Sequence, residues 1–221
     1  MPAADANATG ALTLIIDTSL NACTAALCDG DRVVAERIEP MARGHQERLG
    51  VMIAELFETA GVTPRHLGRI GVTLGPGSFT GLRVGLSFAK GLAVGLGLTP
   101  KGIGTLEALG HHPDLLRDKR LVVIDGGRGQ IYAQAFTPDG QGAPFQLDDP
   151  TPYADFIITG PGAHLVAGRE VFAQSWPSVA ALNACANAPG HDDLTPLYMR
   201  DADAKVSTRG IIAPLTGSVS A

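Results

Sequence analysis

Leu12-Thr13-Leu14-Ile15-Ile16-Asp17 is an apolar run that stops on an aspartate, and Leu121-Val122-Val123-Ile124-Asp125 repeats it in the second half of the chain. Leu12 to Ile16 and Leu121 to Ile124 each read as a core strand bounded by a polar turn. The segments after them are also alike. After Asp17 come a turn, a strand around Cys23 to Cys28, an Asp29-Gly30 turn and a third strand, Arg32 to Ile38. After Asp125 come a glycine-rich turn, a strand from Ile131 to Phe136, an Asp139-Gly140 turn and a further strand near Ala143 to Gln146. Asp-Gly between apolar segments is a strong hairpin signal. Two copies of strand, aspartate, turn, strand, Asp-Gly, strand predict a duplicated α/β unit.

The first copy continues into a helix, His45 to Ala60, whose Leu49, Met52, Ile53, Leu56, Phe57 and Ala60 share one face. Gly61 terminates it. A strand from Arg69 to Leu74 then enters Gly75-Pro76-Gly77-Ser78-Phe79-Thr80-Gly81-Leu82-Arg83, which opens a long helix, Thr80 to Leu98. Backbone N–H groups at such a strand-to-helix turn point outward and hold an anion or a partner. Ser78 or Thr80 supplies the helix cap. The turn lacks the Gly-Lys-Ser/Thr of a phosphate-binding Walker loop. It is no nucleophile elbow either, since Phe79 stands midway between Gly77 and Gly81. Gly81, Gly85, Ala89, Ala93 and Gly97 recur every four residues and form a smooth ridge along the helix. Interior glycines such as Gly85, Gly91 and Gly95 cost about 0.5–1 kcal/mol each relative to alanine. Close packing must offset that, either inside the domain or in a helix bundle between subunits.

In the second half Ala154 to Thr159 is strand-like, Gly160-Pro161-Gly162-Ala163 is a turn, and Ser178 to Ala188 is a short helix ended by Pro189-Gly190. The expected organisation is a disordered leader (1–11), an N-terminal lobe (12–105), a smaller C-terminal lobe (106–205) and a loosely held tail (206–221).

The 221 residues are 45% hydrophobic and 18% charged, the balance of a globular protein with a sizeable core. A net charge of −5 gives no overall basic footprint for nucleic acid. The segment Gly81 to Leu98 is apolar, but Arg83 and Lys90 interrupt it and it is short of the roughly 20 residues that span a bilayer. Cys23 and Cys28 lie five apart on one strand and face opposite sides, so with Cys185 they read as buried free thiols in a reducing cytoplasm. None of the six histidines (His45, His66, His111, His112, His164, His191) stands in a His-x3-His pair, and no metal site is expected. Ser78 has no base near it in sequence. Asp17 and Asp125, each ending a core strand, read either as caps of their own turns or as carboxylates that hold Mg²⁺ through water.

The chain resembles the TsaB (YeaZ) family, the accessory subunit of the bacterial machinery that makes N6-threonylcarbamoyladenosine (t6A) in tRNA. The likeness rests on Gly75 to Arg83 (GPGSFTGLR), Ile15-Ile16-Asp17-Thr18-Ser19, His45 with Glu47, and Lys90-Gly91-Leu92-Ala93. It extends to Thr105-Leu106-Glu107-Ala108-Leu109, Val123-Ile124-Asp125 and Pro196-Leu197-Tyr198-Met199-Arg200. The resemblance implies a duplicated actin-like ATPase (ASKHA) fold of two lobes, in which Asp17, Thr18 and Ser19 are a vestigial phosphate site. It implies a non-catalytic scaffold without cofactor that binds and stabilises the TsaD catalytic subunit. Family members pair through their first two helices, which puts His45, Leu49, Met52, Gly81, Gly85, Ala89 and Ala93 at the expected partner interface. The TsaE ATPase joins the larger complex, tRNA is engaged indirectly, and the isolated chain is a possible homodimer. The alternatives are an actin-like-fold ATPase or small-molecule kinase using Asp17, and a peptidase.

Overall fold

The computed structural model describes residues 11–166, 171–189 and 193–198. The expected tail (206–221), and the expected leader apart from Ala11, lie outside these residues. Eleven strands and four α-helices among the described residues follow one another in the order that the duplication predicts. Those of the first half are β1 (Leu12–Asp17), β2 (Ala22–Asp29), β3 (Arg32–Pro40), α1 (His45–Ala60), β4 (Leu67–Gly75), α2 (Phe79–Leu96) and β5 (Lys101–Gly104). They form a five-stranded sheet in the order β3-β2-β1-β4-β5, with β2 antiparallel to its neighbours and β4 and β5 parallel to β1. After α3 (Thr105–Gly110) come β6 (Arg120–Gly127), β7 (Gln130–Thr137), β8 (Gly140–Gln141), β9 (Phe145–Gln146), β10 (Ile157–Thr159), β11 (Val171–Phe172) and α4 (Val179–Asn187). The second sheet has the order β11-β10-β6-β7-β8, with β9 also paired to β7. Taken from its other edge, this is the first sheet's arrangement of third, second, first, fourth and fifth strand. The chain therefore has the duplicated, two-sheet actin-like α/β fold.

The halves differ in their crossovers. The first half uses α1 and α2; the second replaces them with single 3-10 turns, Thr151–Tyr153 and Ala163–Leu165. Its third strand is broken into β8 and β9, because Pro144 has no N–H for the ladder. The strand expected near Ala143 to Gln146 thus shrinks to Phe145–Gln146.

α1 keeps its expected bounds, with Gly61 in the left-handed conformation (φ 65°) as its C-cap. α2 ends sooner than expected. Gly97 takes the same conformation (φ 67°) and its N–H bonds Ala93 O, so it closes the helix rather than extending the ridge. Leu49, Met52, Leu56, Leu86 and Ala89 bury α1 and α2 on one face of the first sheet, against Leu14, Ile16, Ile70 and Val72. Each large side chain so buried contributes about 1.5–3 kcal/mol. Cys23 and Cys28 do face opposite ways, into the two cores on either side of this sheet.

The far face of the first sheet is covered from the end of the chain. Val179, Leu182, Cys185 and Ala186 of α4 pack on Ile15, Ala26, Cys28 and Ile103. Asn183 Nδ2 donates to Gly30 O at 2.8 Å, and Asn187 bonds Arg69. α4, expected in the C-terminal lobe, thus lies on the first sheet, its apolar face against that sheet's second side. Leu194 and Leu197 also join the first sheet's core, and Leu197 N–H donates to Leu74 O at 2.8 Å. α3 sits between the sheets, with Leu106 and Leu109 on Val122, Ile124, Tyr132 and Phe136 and Ala108 toward α4. No helix among the described residues is long and apolar enough to cross a membrane.

Candidate functional site

The two motifs that sequence separates, Asp17-Thr18-Ser19 and Gly75 to Arg83, form one structure. Asp17 ends β1 and Gly75 ends β4, and these strands are parallel neighbours, so their turns emerge side by side. Asp17 Oδ1 accepts from Ser19 N at 2.8 Å, Ser19 Oγ at 2.6 Å and Thr73 Oγ1 at 2.8 Å. Thr18 Oγ1 donates to Gly81 O at 2.7 Å, and Ser78 N–H donates to Ser19 O at 2.7 Å. The contact is so close that a Cβ on Gly77 would overlap the Ser19 carbonyl, and one on Gly81 the Thr18 carbonyl. Gly75 has φ 106°, a conformation that glycine alone adopts readily, and its peptide bond to Pro76 is cis. Ser78 is the α2 N-cap, its Oγ accepting from Gly81 N at 3.2 Å.

Asp17 is 2% exposed, and Thr18 and Ser19 are fully buried. Burial pushes the Asp17 carboxyl above its ordinary value, against the hydrogen bonds from Ser19 and Thr73 that pull it down. Asp17 Oδ1, Thr18 Oγ1 and Ser19 Oγ, expected as a vestigial phosphate site, are each engaged by groups of the chain itself. Asp125 is exposed, and its Oδ1 accepts from Gly127 N at 2.6 Å, the same own-turn contact that Asp17 makes with Ser19 N. Both aspartates cap their turns.

The second half also repeats the turn against which Asp17's segment packs. Gly160-Pro161-Gly162 follows β10 just as Gly75-Pro76-Gly77 follows β4. Gly160 has φ 95°, a Cβ there would overlap the Val123 carbonyl, and Gly162 N–H bonds Val123 O at 3.0 Å. In the sequence these glycines read as an isolated turn. The repeated tripeptide, each time directly after a strand, is the signal that identifies them.

The seven residues expected at a partner interface are all inside the molecule. His45, Leu49, Met52, Gly81, Gly85, Ala89 and Ala93 are buried, and His45 Nε2 lies 3.2 Å from Ala22 O. The small-residue ridge lets α2 settle on the first sheet and the turn after β1: a Cβ on Gly85 would come 2.5 Å from Thr18 Oγ1. The other side of the helix pair is open. Val94 is 84% exposed and Val51 53%, with Gly50, Ala54, Ser87, Gly91 and Gly95 exposed around them. A Cβ on Gly91 or Gly95 would meet nothing within 4 Å.

Arg83 lies 3.8 Å above the Phe79 ring, with its Nε 3.4 Å from Tyr198 OH. Phe79 and Tyr198 rings are 5.1 Å apart, which ties the segment after α4 to the start of α2. Burial pushes the thiols of Cys23 and Cys28 up to about 11 and that of Cys185 to about 12, so all three stay protonated and poorly nucleophilic at neutral pH. Among the described residues no three His, Cys, Asp or Glu side chains gather where a metal ion could sit.

A family model described as "TsaD: tRNA N6-adenosine threonylcarbamoyltransferase" matches residues 32–149. The tRNA threonylcarbamoyladenosine biosynthesis protein TsaB of Escherichia coli is 33% identical over 131 residues, which are 58% of this chain and 56% of that protein. The chain thus spans little more than half the length of that relative. An uncharacterized protein of Mycobacterium tuberculosis is 33% identical over 200 residues, covering 87% of this chain and 93% of that one. The solved structure of YeaZ from Pseudomonas aeruginosa superposes with a TM-score of 0.69 at 24% identity, over 80% of this chain and 90% of that one.

Proposed function

The chain belongs to the TsaB (YeaZ) family, and from that premise we propose that it is a non-catalytic subunit of a t6A-forming complex, which binds and stabilises the threonylcarbamoyl-transferring subunit TsaD. The observation that carries this reading is the open face of α1 and α2. A strip of Gly50, Val51, Ala54, Gly91, Val94 and Gly95 is small, apolar and exposed, so a second helix pair could approach it closely and bury it. On this reading the partner sits on the side of the helices opposite to the buried seven. In the absence of TsaD the same face suits a second copy of the chain, since a two-fold pair uses one patch twice. The complex is cytoplasmic, TsaE joins it, and with a net charge of −5 this subunit leaves the tRNA phosphates to its partners.

Copurification with TsaD tests the face directly. Gly91→Leu combined with Val94→Asp is expected to cut recovery at least about tenfold, a loss of about 1.4 kcal/mol or more. Gly91→Ala should leave pairing intact and stabilise the isolated chain by about 0.5–1 kcal/mol, because it improves an exposed helical position without a clash. Wild-type recovery of the double variant would remove α1 and α2 from the interface.

By itself the subunit should turn nothing over. Purified chain with Mg²⁺-ATP, or with a peptide substrate, is expected to give the background rate. Turnover abolished by Asp17→Asn would overturn this and favour an actin-like ATPase.

A further inference from the structure

The open face of α1 and α2 carries charge as well as small residues, and the charge is sorted by helix. On α1, Glu47, Val51, Ala54 and Glu58 are exposed and stand four, three and four residues apart, which makes one stripe along the helix. On α2, Arg83, Ser87, Lys90 and Val94 are exposed at the same spacing. α2 contains no acid, and Arg48, on another side of α1, is taken up by Glu39 at 2.6 Å and Glu55 at 2.7 Å. The two helices touch, since a Cβ on Gly50 would come 3.6 Å from the Phe88 ring, so an acidic stripe lies beside a basic one. Among the described residues Glu47 and Glu58 pair with no cation, and Arg83 and Lys90 with no carboxylate. An exposed helix gains from acid and base four residues apart, whereas like charges along one stripe repel. Sorting the signs therefore disfavours the free helices, and that cost is recovered when the opposite order of charge is laid on them. Arg83 is also held in place. Its guanidinium rests on the Phe79 ring and its Nε on Tyr198 OH, and Phe79 is 52% and Tyr198 43% exposed. A guanidinium so placed loses little freedom when it meets an anion.

We propose that this face selects its partner by charge order: it takes a helix pair that is acidic where it lies over α2 and basic where it lies over α1. The ion pairs flank Val51, Ala54, Gly91 and Val94, on which the small apolar residues of the two helix pairs close. The inference rests on TsaD docking at this face, and it adds the chemistry by which TsaD is recognised there. A nucleic acid strand suits the face less well. Phosphates laid on Arg83 and Lys90 would run beside the Glu47 and Glu58 carboxylates, about one helix diameter away. Because all four charges are exposed, they steer the encounter more than they tighten the finished complex.

Surface plasmon resonance of the full chain with TsaD, at about 0.05 M and about 0.5 M salt, reads the association rate with the charges bare and screened. The wild-type rate should fall at least about tenfold between the two. Arg83→Glu with Lys90→Glu should lower the low-salt rate at least about tenfold and flatten its salt dependence. Glu47→Lys with Glu58→Lys should do the same, although it moves the net charge the other way. Arg117→Glu with Lys119→Glu, at exposed positions ahead of β6, changes the net charge as much as the first variant and should leave the rate within about twofold. Arg83→Gln with Lys90→Gln should give a smaller loss of the same kind, and keeps the test open if the reversed charges disturb α2. Wild-type rates in both reversed variants, while Gly91→Leu with Val94→Asp weakens binding, would overturn the charge order and leave the docking face standing. Undiminished binding of that last variant would overturn both. Loss of tRNA binding alone, or of self-association alone, in the reversed variants would overturn the proposal by giving the charges another occupant.

Discussion

Gly81→Ala is expected to destabilise the chain by about 3 kcal/mol or more, because overpacking against a backbone group cannot relax by moving a side chain. For a chain of this size that is a fall of about 6–12 °C in melting temperature. The added methyl would overlap the Thr18 carbonyl, and relief would require α2 to lift from β1. Lifting breaks the 2.7 Å bonds from Thr18 Oγ1 to Gly81 O and from Ser78 N to Ser19 O. Alanine is normally the better helix former, so the sign of the effect is informative. Gly81→Ala should destabilise while Gly91→Ala, on the same helix, should stabilise. Thermal unfolding of the two variants side by side checks this, and equal melting temperatures would show that the contact between the two turns is soft.

Asp17→Ala should cost a similar amount, about 3 kcal/mol or more, for an electrostatic reason. Three donors (Ser19 N, Ser19 Oγ and Thr73 Oγ1) converge on Oδ1. Each would be left without that acceptor, and an unpartnered buried donor costs about 1–3 kcal/mol. Asp17→Asn keeps an acceptor in place and should retain most of the stability. It should also alter the response to pH. The folded chain holds the Asp17 proton more tightly than the unfolded chain, since burial raises the carboxyl above its ordinary value. Stability attributable to this group is therefore full below the ordinary carboxylate range. It is lost as pH rises through the raised value. Urea denaturation of wild type and Asp17→Asn across that interval should show a fall in the first and none in the second. An identical slope in both would assign the pH dependence to another group.

The fold was legible because duplication wrote it twice. Leu12 to Asp17 and Leu121 to Asp125, with the Asp-Gly turns after them, carried the repeated strand pattern that opens both sheets. α1 was legible to the residue because Leu49, Met52 and Leu56 mark its buried face and Gly61 its end. The end of α2 was not, because a glycine on a small-residue ridge and a glycine that closes a helix look the same in one dimension. The same ambiguity hid what the ridge packs on. Gly81, Gly85, Ala89 and Ala93 did signal close packing, but periodicity cannot say what packs there, and it was the first sheet and the Thr18 turn of the same chain. The open face is marked by Val94 and Val51, single apolar residues among glycines, which composition does not distinguish from an ordinary surface. Asp17 read equally as a ligand for Mg²⁺ and as a cap. The third donor on its carboxylate, Thr73 Oγ1 from a strand 56 positions later, could not be read from the sequence around it.

α4 covers the first sheet, yet among the described helices it is made last. Ile15, Ala26, Cys28 and Ile103 are complete in sequence by the end of β5, and the side chains that cover them arrive about 75 residues later. At elongation rates of about 5–20 residues per second, that interval is about 4–15 s. Through it the nascent sheet presents one face covered by α1 and α2 and one bare apolar face to the ribosome exit and the chaperones beside it. A ribosome stalled before Val179 would hold a chain whose first sheet is paired but uncovered. Premature termination between the two halves should then yield a sticky, insoluble fragment rather than an autonomous lobe.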